Sequence, residues 1–267
     1  MIPIVLIHSG NPPYLKFSIR KALQKNKVYL IGDTNPQIDH KNFTFLDMKD
    51  YINDDYLKFQ KIYKHLSTNN YGFEIFCFLR WFILKEFMTK NQIDVSFYID
   101  SDVMVYVDVN DEYYKFEQYD FTLLHRTAGI SSFVTTTGIN NFCNALISIY
   151  SDHNSYNFQK IESHFVIRQK HGLGGGVCDM TLLEFYHYHS DIGGGPGKVG
   201  EMMTIIDGST YDHNINAQDQ YFKFNGMKEV EMIDGVPYVF SEKLNKNIKF
   251  NTLHFNSGAK SLMEKYF

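Results

Sequence analysis

Apolar positions in the N-terminal part of the chain come in short unbroken blocks that alternate with longer stretches at helical spacing. The block over 4–8 is continuous, as expected of a strand buried on both faces of a parallel sheet. A turn cluster, His8-Ser9-Gly10-Asn11-Pro12-Pro13, leads into a helix predicted over 14–24 and a second apolar block over 28–33. Together these make a strand–helix–strand unit of roughly 30 residues. Residues 42–48 offer a further short strand. Asp33 falls at the carboxyl end of the second strand, where open α/β sheets place their ligand groups.

Tyr56, Phe59, Ile62, Tyr63 and Leu66 predict a helix over 54–66, with Asp54 at its start. The next helix, over 73–88, is more informative. At about 100° per residue, Arg80 shares a side with Phe73, Phe76, Cys77, Ile83, Leu84 and Phe87. A guanidinium on the core side needs an acceptor, because an unpaired buried charge is costly. The following strand, Asp94-Val95-Ser96-Phe97-Tyr98-Ile99-Asp100-Ser101-Asp102, ends in two carboxylates one residue apart. The period-2 geometry of a strand puts Asp100 and Asp102 on one face. Like charges this close raise one pKa unless a cation compensates them, and an oxygen-only pair at a strand end suits Mg²⁺ or Mn²⁺ rather than Zn²⁺.

Further strands are predicted over 103–107, 119–125 and 132–138, and helices over 140–150, 156–170 and 179–189. A glycine-rich stretch, 171–176, precedes the last of these helices, and a second cluster, 193–198, follows it. The second cluster is not a phosphate-binding P-loop, which needs glycine at Ile192 and Ser or Thr at Val199. A mobile loop over the active site is the expectation there. His187 and His189 stand at i, i+2 and do not converge on one helix face as a zinc pair would.

Beyond Met202 the pattern turns to short strands: Asp234-Gly235 signals a hairpin between 229–233 and 236–240, and 248–255 reads as one more strand. His254 opens a turn that holds Asn256, Ser257 and Gly258, with Lys260 close behind. The segment offers a borderline metal ligand, a close backbone approach and a cation for phosphate. Asp179, after Gly175 and Gly176, has two compatible readings. It is a helix N-cap, or a carboxylate beside an acceptor hydroxyl acting as base.

With 267 residues and 44% hydrophobic content, the chain can bury one large core, so a single domain is expected. The net charge of -4 leaves no basic footprint for nucleic acid. Glu74, Arg80, Lys85 and Glu86 interrupt the most apolar helix, and a central Arg costs about 2.5–3.5 kcal/mol on insertion, so no transmembrane segment is expected. Residues 1–7 lack a basic lead and read as a first strand rather than a signal peptide. Cys77, Cys143 and Cys178 show no C-x-x-C spacing and read as reduced thiols of a cytoplasmic protein. The aromatic fraction, 16%, serves core packing first, with some rings left to line a cleft.

The strand–helix–strand start with Asp33, the Arg80 helix before Phe97-Tyr98-Ile99-Asp100-Ser101-Asp102, and the late His254…Gly258…Lys260 together resemble the GT-A class of nucleotide-sugar glycosyltransferases. The likeness spans most of the chain. It implies a GT-A-like α/β fold, a Rossmann-type mixed sheet flanked by helices with a β-rich C-terminal part. The single domain, 1–267, would have a nucleotide-sugar-binding half, 1–106, and an acceptor-binding half, 107–267.

The resemblance also implies roles. Asp102 and His254 would bind Mn²⁺ or Mg²⁺ directly, and Asp100 would contact the ion or the ribose. Asp33 would sit near the nucleoside, with His8 and Ser101 also on the donor. Arg80 would orient the carboxylates or the diphosphate, and Lys260 would meet the diphosphate. The donor would be a nucleoside diphosphate sugar, UDP-linked, and the acceptor a hydroxyl of a glycan or other molecule. One departure stands out: some retaining members end in H-x-x-G-x-x-K-P-W, whereas this chain has His254-x-x-x-Gly258-x-Lys260 and no Pro-Trp. Two other readings share the features. One is a nucleotidyltransferase, although here Gly10 stands alone where that class has a glycine-rich loop; the other is a sugar-nucleotide or glycan binding module without turnover.

Overall fold

A computed structural model describes residues 1–218 and 221–267. In chain order its elements are β1 (Ile4–His8), α1 (Leu15–Leu23), β2 (Val28–Gly32), β3 (Phe43–Asp47), α2 (Asp54–Ile62), α3 (Tyr71–Lys90), β4 (Val95–Ile99) and β5 (Val103–Val105). There follow α4 (Val109–Glu112), β6 (Phe121–Leu123), β7 (Ser131–Thr135), α5 (Thr136–Ser151), α6 (Tyr156–Lys170) and α7 (Asp179–Tyr188). The β-rich part comprises β8 (Val199–Glu201), β9 (Ser209–Thr210), β10 (Val230–Ile233), β11 (Val236–Ser241), β12 (Lys246–Phe250) and β13 (Thr252–His254), before a terminal 3-10 helix, Ser257–Tyr266.

The described residues form a seven-stranded sheet in the order β3-β2-β1-β4-β7-β6-β8. β3, β2, β1 and β4 run parallel, and β7 lies antiparallel to β4. This is the expected α/β arrangement, a mixed sheet flanked by helices. Its β-rich C-terminal part adds a four-stranded sheet, β10-β11-β12-β9, and the pair β13-β5.

Alternation along the central strands sorts the core onto two faces. Val5, Ile7 and Tyr98 join α3 and α5 on one side, while Ile4, Leu6, Phe97 and Ile99 join α1 on the other. α3 is apolar on nearly all sides because it lies between the sheet and the helices α2 and α5. Its start is set by Asn70, whose side chain accepts from the amides of Gly72 and Phe73.

Several boundaries differ from the sequence expectation. The strand expected over 132–138 ends at Thr135, whose hydroxyl accepts from Gly138 and caps α5. α2 stops at Ile62, and Tyr63 is already extended. The strand expected over 248–255 breaks at Asn251, whose buried side-chain amide donates to Glu112 at 2.8 Å. The break lets β12 pair with β11 and β9 while β13 crosses to β5.

Within 193–198, Gly194 and Gly195 pack closely against the end of α7. A Cβ at Gly194 would stand 2.1 Å from the Tyr186 carbonyl oxygen, and Gly195 donates to that same oxygen. No helix among the described residues is long and apolar enough to cross a membrane.

Candidate active site

The carboxyl ends of β1, β2 and β4 meet at one edge of the parallel sheet, and the side chains gathered there are mostly charged. β4 ends at Ile99, and the next residue, Asp100, keeps the face of Tyr98, the face against which α3 packs. Arg80 comes from the middle of α3, only 14% exposed along its side chain. One guanidinium nitrogen donates to Asp100 Oδ1 at 2.6 Å, the other to Asp179 Oδ2 at 2.6 Å, and Nε to the Cys77 carbonyl at 3.2 Å. The acceptor required by an inward-facing arginine is thus a pair of carboxylates. The Tyr98 hydroxyl adds a second donor to Asp100 Oδ1 at 2.8 Å.

Asp102 lies across the turn that closes with the Val103 amide on the Asp100 carbonyl. Its distant partner arrives by strand pairing. β13 runs antiparallel to β5 with His254 opposite Val103, and the Phe255 amide donates to the Asp102 carbonyl at 3.0 Å. That register sets His254 Nε2 3.5 Å from Asp102 Oδ1, while Lys260 Nζ, from the terminal 3-10 helix, stands 3.1 Å from Asp102 Oδ2.

The two carboxylates diverge in acidity. Burial pushes both up, but His254 and Lys260 hold Asp102 below the ordinary range, whereas Asp100 stays raised by burial and by the Asp102 charge despite Arg80.

The tautomer of His254 follows from its contacts. Nδ1 lies 2.5 Å from the His213 carbonyl oxygen, which only accepts, so Nδ1 carries the hydrogen. Nε2 then aims a lone pair at Asp102 Oδ1, and two lone pairs face each other only with a proton or a metal cation between them. Burial lowers the affinity of this imidazole for a proton, yet Asp102 outweighs it and raises the pKa. The donor set, one imidazole nitrogen and one carboxylate, suits Mn²⁺ better than Mg²⁺, which prefers oxygen ligands alone. Among the described residues no group of three His, Cys, Asp or Glu converges on a metal position. Such an ion would therefore draw its remaining ligands from phosphate oxygens and water, as Mg²⁺ commonly does.

The other expected donor-site residues border this group. Ser101 is half-buried in the turn between the two carboxylates. His8, at the end of β1, is held below its ordinary pKa by burial; the charges of Asp102, Lys260, Asp33 and Arg80 act on it in opposing directions. Asp33 accepts from the Ser9 hydroxyl at 2.5 Å and the Gly10 amide at 2.7 Å. Burial opposes ionisation there, but these hydrogen bonds hold Asp33 below its usual range.

Asp179 reaches the site because the glycine stretch packs flat against the chain after α2. Gly176 bridges to Ser67, and a Cβ at Gly176 would lie 2.1 Å from the Leu66 carbonyl oxygen. The helix N-cap is Cys178, not Asp179, which is the first helical residue. Besides Arg80, Asp179 Oδ2 accepts from Trp81 Nε1 at 3.1 Å, and Oδ1 accepts from the Met180 amide at 3.0 Å. Its side chain is 4% exposed. A general base needs a lone pair open to the acceptor, and here three donors already hold the carboxylate.

The sequence reading passed over five participants. Tyr98 was detectable, since it shares the strand face of Asp100 by period two. Trp81 neighbours Arg80 and is the chain's one tryptophan. Asp212, whose Oδ2 accepts the His254 amide at 3.0 Å, and His213 lie in a stretch with no motif. Asp212 is buried with Lys228, whose Nζ also donates to the Asn214 carbonyl. Tyr14 places its ring 4.8 Å from Lys260 Nζ.

No protein-family profile matches the chain, and no curated protein matches it. Solved structures do. Mouse xyloside xylosyltransferase 1, in its apo form, aligns with a TM-score of 0.45 at 9% identity over 75% of this chain and 84% of that one. A glycosyltransferase involved in the glycosylation of the major capsid of PBCV-1 gives 0.35 at 11% identity over 74% and 81%. The bifunctional glycosyltransferase WbbM, also apo, gives 0.44 at 11% identity over 82% of this chain and 41% of that one.

Proposed function

We propose that this protein is a glycosyltransferase that moves a sugar from a nucleoside diphosphate donor, UDP-linked, to a hydroxyl of a glycan or other acceptor, with Mn²⁺ or Mg²⁺ held by Asp102 and His254. The observation that carries the reading is the convergence of His254 and Lys260 on Asp102 near the carboxyl end of the parallel strands, with His254 Nε2 3.5 Å and Lys260 Nζ 3.1 Å from its carboxylate oxygens. When bound, the divalent ion supplies neutralisation of the departing diphosphate. The chain's own residues supply the rest. Lys260 offers three donors to the same phosphates. Arg80 fixes Asp100 from the core side, and Asp33 and His8 border the donor. Asp179, with its oxygens engaged, takes the role of holding Arg80 in place instead of the base role expected from its sequence context.

The nucleotidyltransferase reading is weakened by one detail: the Gly10 amide, the group a phosphate loop would offer, is given to Asp33. The deciding experiment supplies Mn²⁺ and a panel of nucleoside diphosphate sugars and follows nucleotide release. Release of the nucleoside diphosphate, lost about 100-fold or more in Asp102→Asn, is the expected result. Full turnover by Asp102→Asn refutes the assignment. Release of pyrophosphate from a nucleoside triphosphate favours the nucleotidyltransferase, and metal-dependent nucleotide binding without any turnover favours the binding module.

A further inference from the structure

We infer that a cavity of about 1020 Å³, lined in part by His125, Arg126, Tyr188 and Glu201, is the acceptor subsite and takes a neutral, polyhydroxylated molecule such as an oligosaccharide. The assignment rests on the glycosyl-transfer reading above. Its volume is at the upper end of the range of ligand pockets, about 300–1,000 Å³. It is tied to the carboxylate site by two contacts. The His125 ring packs on the His213 ring with centroids 5.3 Å apart, and the His213 carbonyl is the group that orients His254.

The wall nearest that link is a strained turn. His125 and Arg126 both adopt left-handed backbone, with φ of 54° and 63°, in the connection from β6 to β7. Two consecutive left-handed residues are the habit of Asn-Gly or Gly-Gly; histidine tolerates the region better than most residues, but arginine at the second position does not. The surroundings hold the turn in place. Leu124 and Ala128 exchange backbone hydrogen bonds, and Glu201 Oε1 accepts the His125 amide at 3.1 Å and the Met203 amide at 3.0 Å. Strain maintained this way persists where the side chains it presents have a use, and here both line the cavity.

The chemistry of the lining selects the ligand class. Among the described lining residues the positive charges are Arg126 and Lys243 and the negative ones Glu184 and Glu201, two of each sign. The cations are also engaged locally. Arg126 donates to the Tyr188 hydroxyl at 3.2 Å, and Lys243 Nζ sits 4.3 Å from the centroid of the Tyr221 ring. With as many carboxylates as cations on the described lining, the cavity offers a phosphate or uronate no net attraction. A sugar presents apolar C–H faces and a polar hydroxyl rim; tyrosine rings match the faces, and carboxylates accept strongly from the rim. Glu201 Oε2 is left for that purpose by the two amides on Oε1.

The test measures transfer from UDP-sugars to lactose, maltose, cellobiose and xylobiose, alongside UDP release without acceptor. In Tyr188→Ala and in the double variant His125→Gly/Arg126→Gly, the ratio of transfer to acceptor-free release should fall at least tenfold, through a raised acceptor KM. The double variant should melt no lower than the parent, because glycine adopts the left-handed turn without cost. An unchanged ratio in both variants overturns the assignment. The same four oligosaccharides are also titrated against the unaltered protein by saturation-transfer NMR. If no donor releases UDP, the transfer reading fails, while oligosaccharide binding that Tyr188→Ala abolishes still upholds the cavity as a neutral-glycan site. No binding of the four, or uptake only of sulfated or uronate-bearing oligosaccharides, overturns it.

Discussion

Replacing Arg80 by methionine keeps most of the side-chain length within α3 and deletes the charge that two carboxylates share. Asp179, 4% exposed, would keep only the Trp81 indole and its own helix amide; Asp100, 22% exposed, would keep the Tyr98 hydroxyl. Removing one partner of a buried ion pair costs about 3–5 kcal/mol. Asp179 alone justifies the lower end of that range, and the more open Asp100 adds a smaller part, so Arg80→Met should lose about 4 kcal/mol at neutral pH. Against a typical total of about 5–15 kcal/mol, that is a large fraction of the stability.

Urea unfolding followed by fluorescence measures this directly, because the chain's one tryptophan, Trp81, is buried beside the deleted group. The sign with pH is a second check. Without the cation that opposes it, the folded-state pKa of Asp100, already raised by burial and by the Asp102 charge, rises further above its unfolded value. The protonated folded state then gains relative to the unfolded one as pH falls, and the deficit should shrink between pH 7 and pH 5 or so. Adding Asp179→Asn removes the stranded charge and should restore about 2 kcal/mol, a coupling typical of residues in direct contact. A loss under about 1 kcal/mol that is independent of pH would refute the compensation argument, since solvated carboxylates behave that way.

Three other outcomes follow from the same geometry. By NMR titration His8 should pick up its proton below the ordinary value of about 6.5, and Lys260→Met should move that midpoint upward, because a cation that opposes protonation is gone. By linkage the depressed folded-state pKa of His8 makes its contribution to stability fall as pH drops through about 6.5, which urea titrations of wild type and His8→Gln compared at pH 7 and pH 5.5 would detect. Gly176→Ala drives a Cβ into the Leu66 carbonyl, so it should lower stability by roughly 1–3 kcal/mol and withdraw Asp179 from Arg80, read as a changed Trp81 emission spectrum.

The fold was legible wherever a local rule had no competitor. The unbroken apolar block of β1 and the Asp-Gly hairpin between β10 and β11, with Asp234 and Gly235 at positive φ, formed as their sequences predict. Boundaries slipped where a side chain overrode the pattern. Thr135 ends a strand whose β-branched run continues through Thr136 and Thr137, because its hydroxyl caps the next helix. Asn251 interrupts an otherwise continuous strand because its amide has a buried partner on α4. Neither is visible as periodicity. At the site, Asp100 and Arg80 were readable from strand and helix geometry, whereas Asp102 lies across a turn and not on a continued strand as period two predicts. Asp212 and the His213 carbonyl were not readable, because Asp212 meets a backbone amide that any residue could offer and His213 acts through its own backbone oxygen, so neither leaves a side-chain motif in the sequence.

The carboxylate edge and the cavity are coupled through one short stretch of chain. Asp212 holds the His254 amide by its side chain, and the next residue, His213, holds His254 Nδ1 by its carbonyl and His125 by its ring. Asp212 is itself fixed by Lys228, a fully buried ion pair, and Lys228 also gathers the carbonyls of Asn214 and Ala217. A buried pair of this kind adds little net stability over an apolar one of equal volume. Its effect here is positional: it sets the height at which residues 212–217 cross the end of β13. The His213 carbonyl at His254 Nδ1 fixes both the tautomer and the direction of the ring. The same backbone unit that fixes the direction of His254 therefore also seats the wall of the cavity, so His254 and the His125 turn are positioned from a common support.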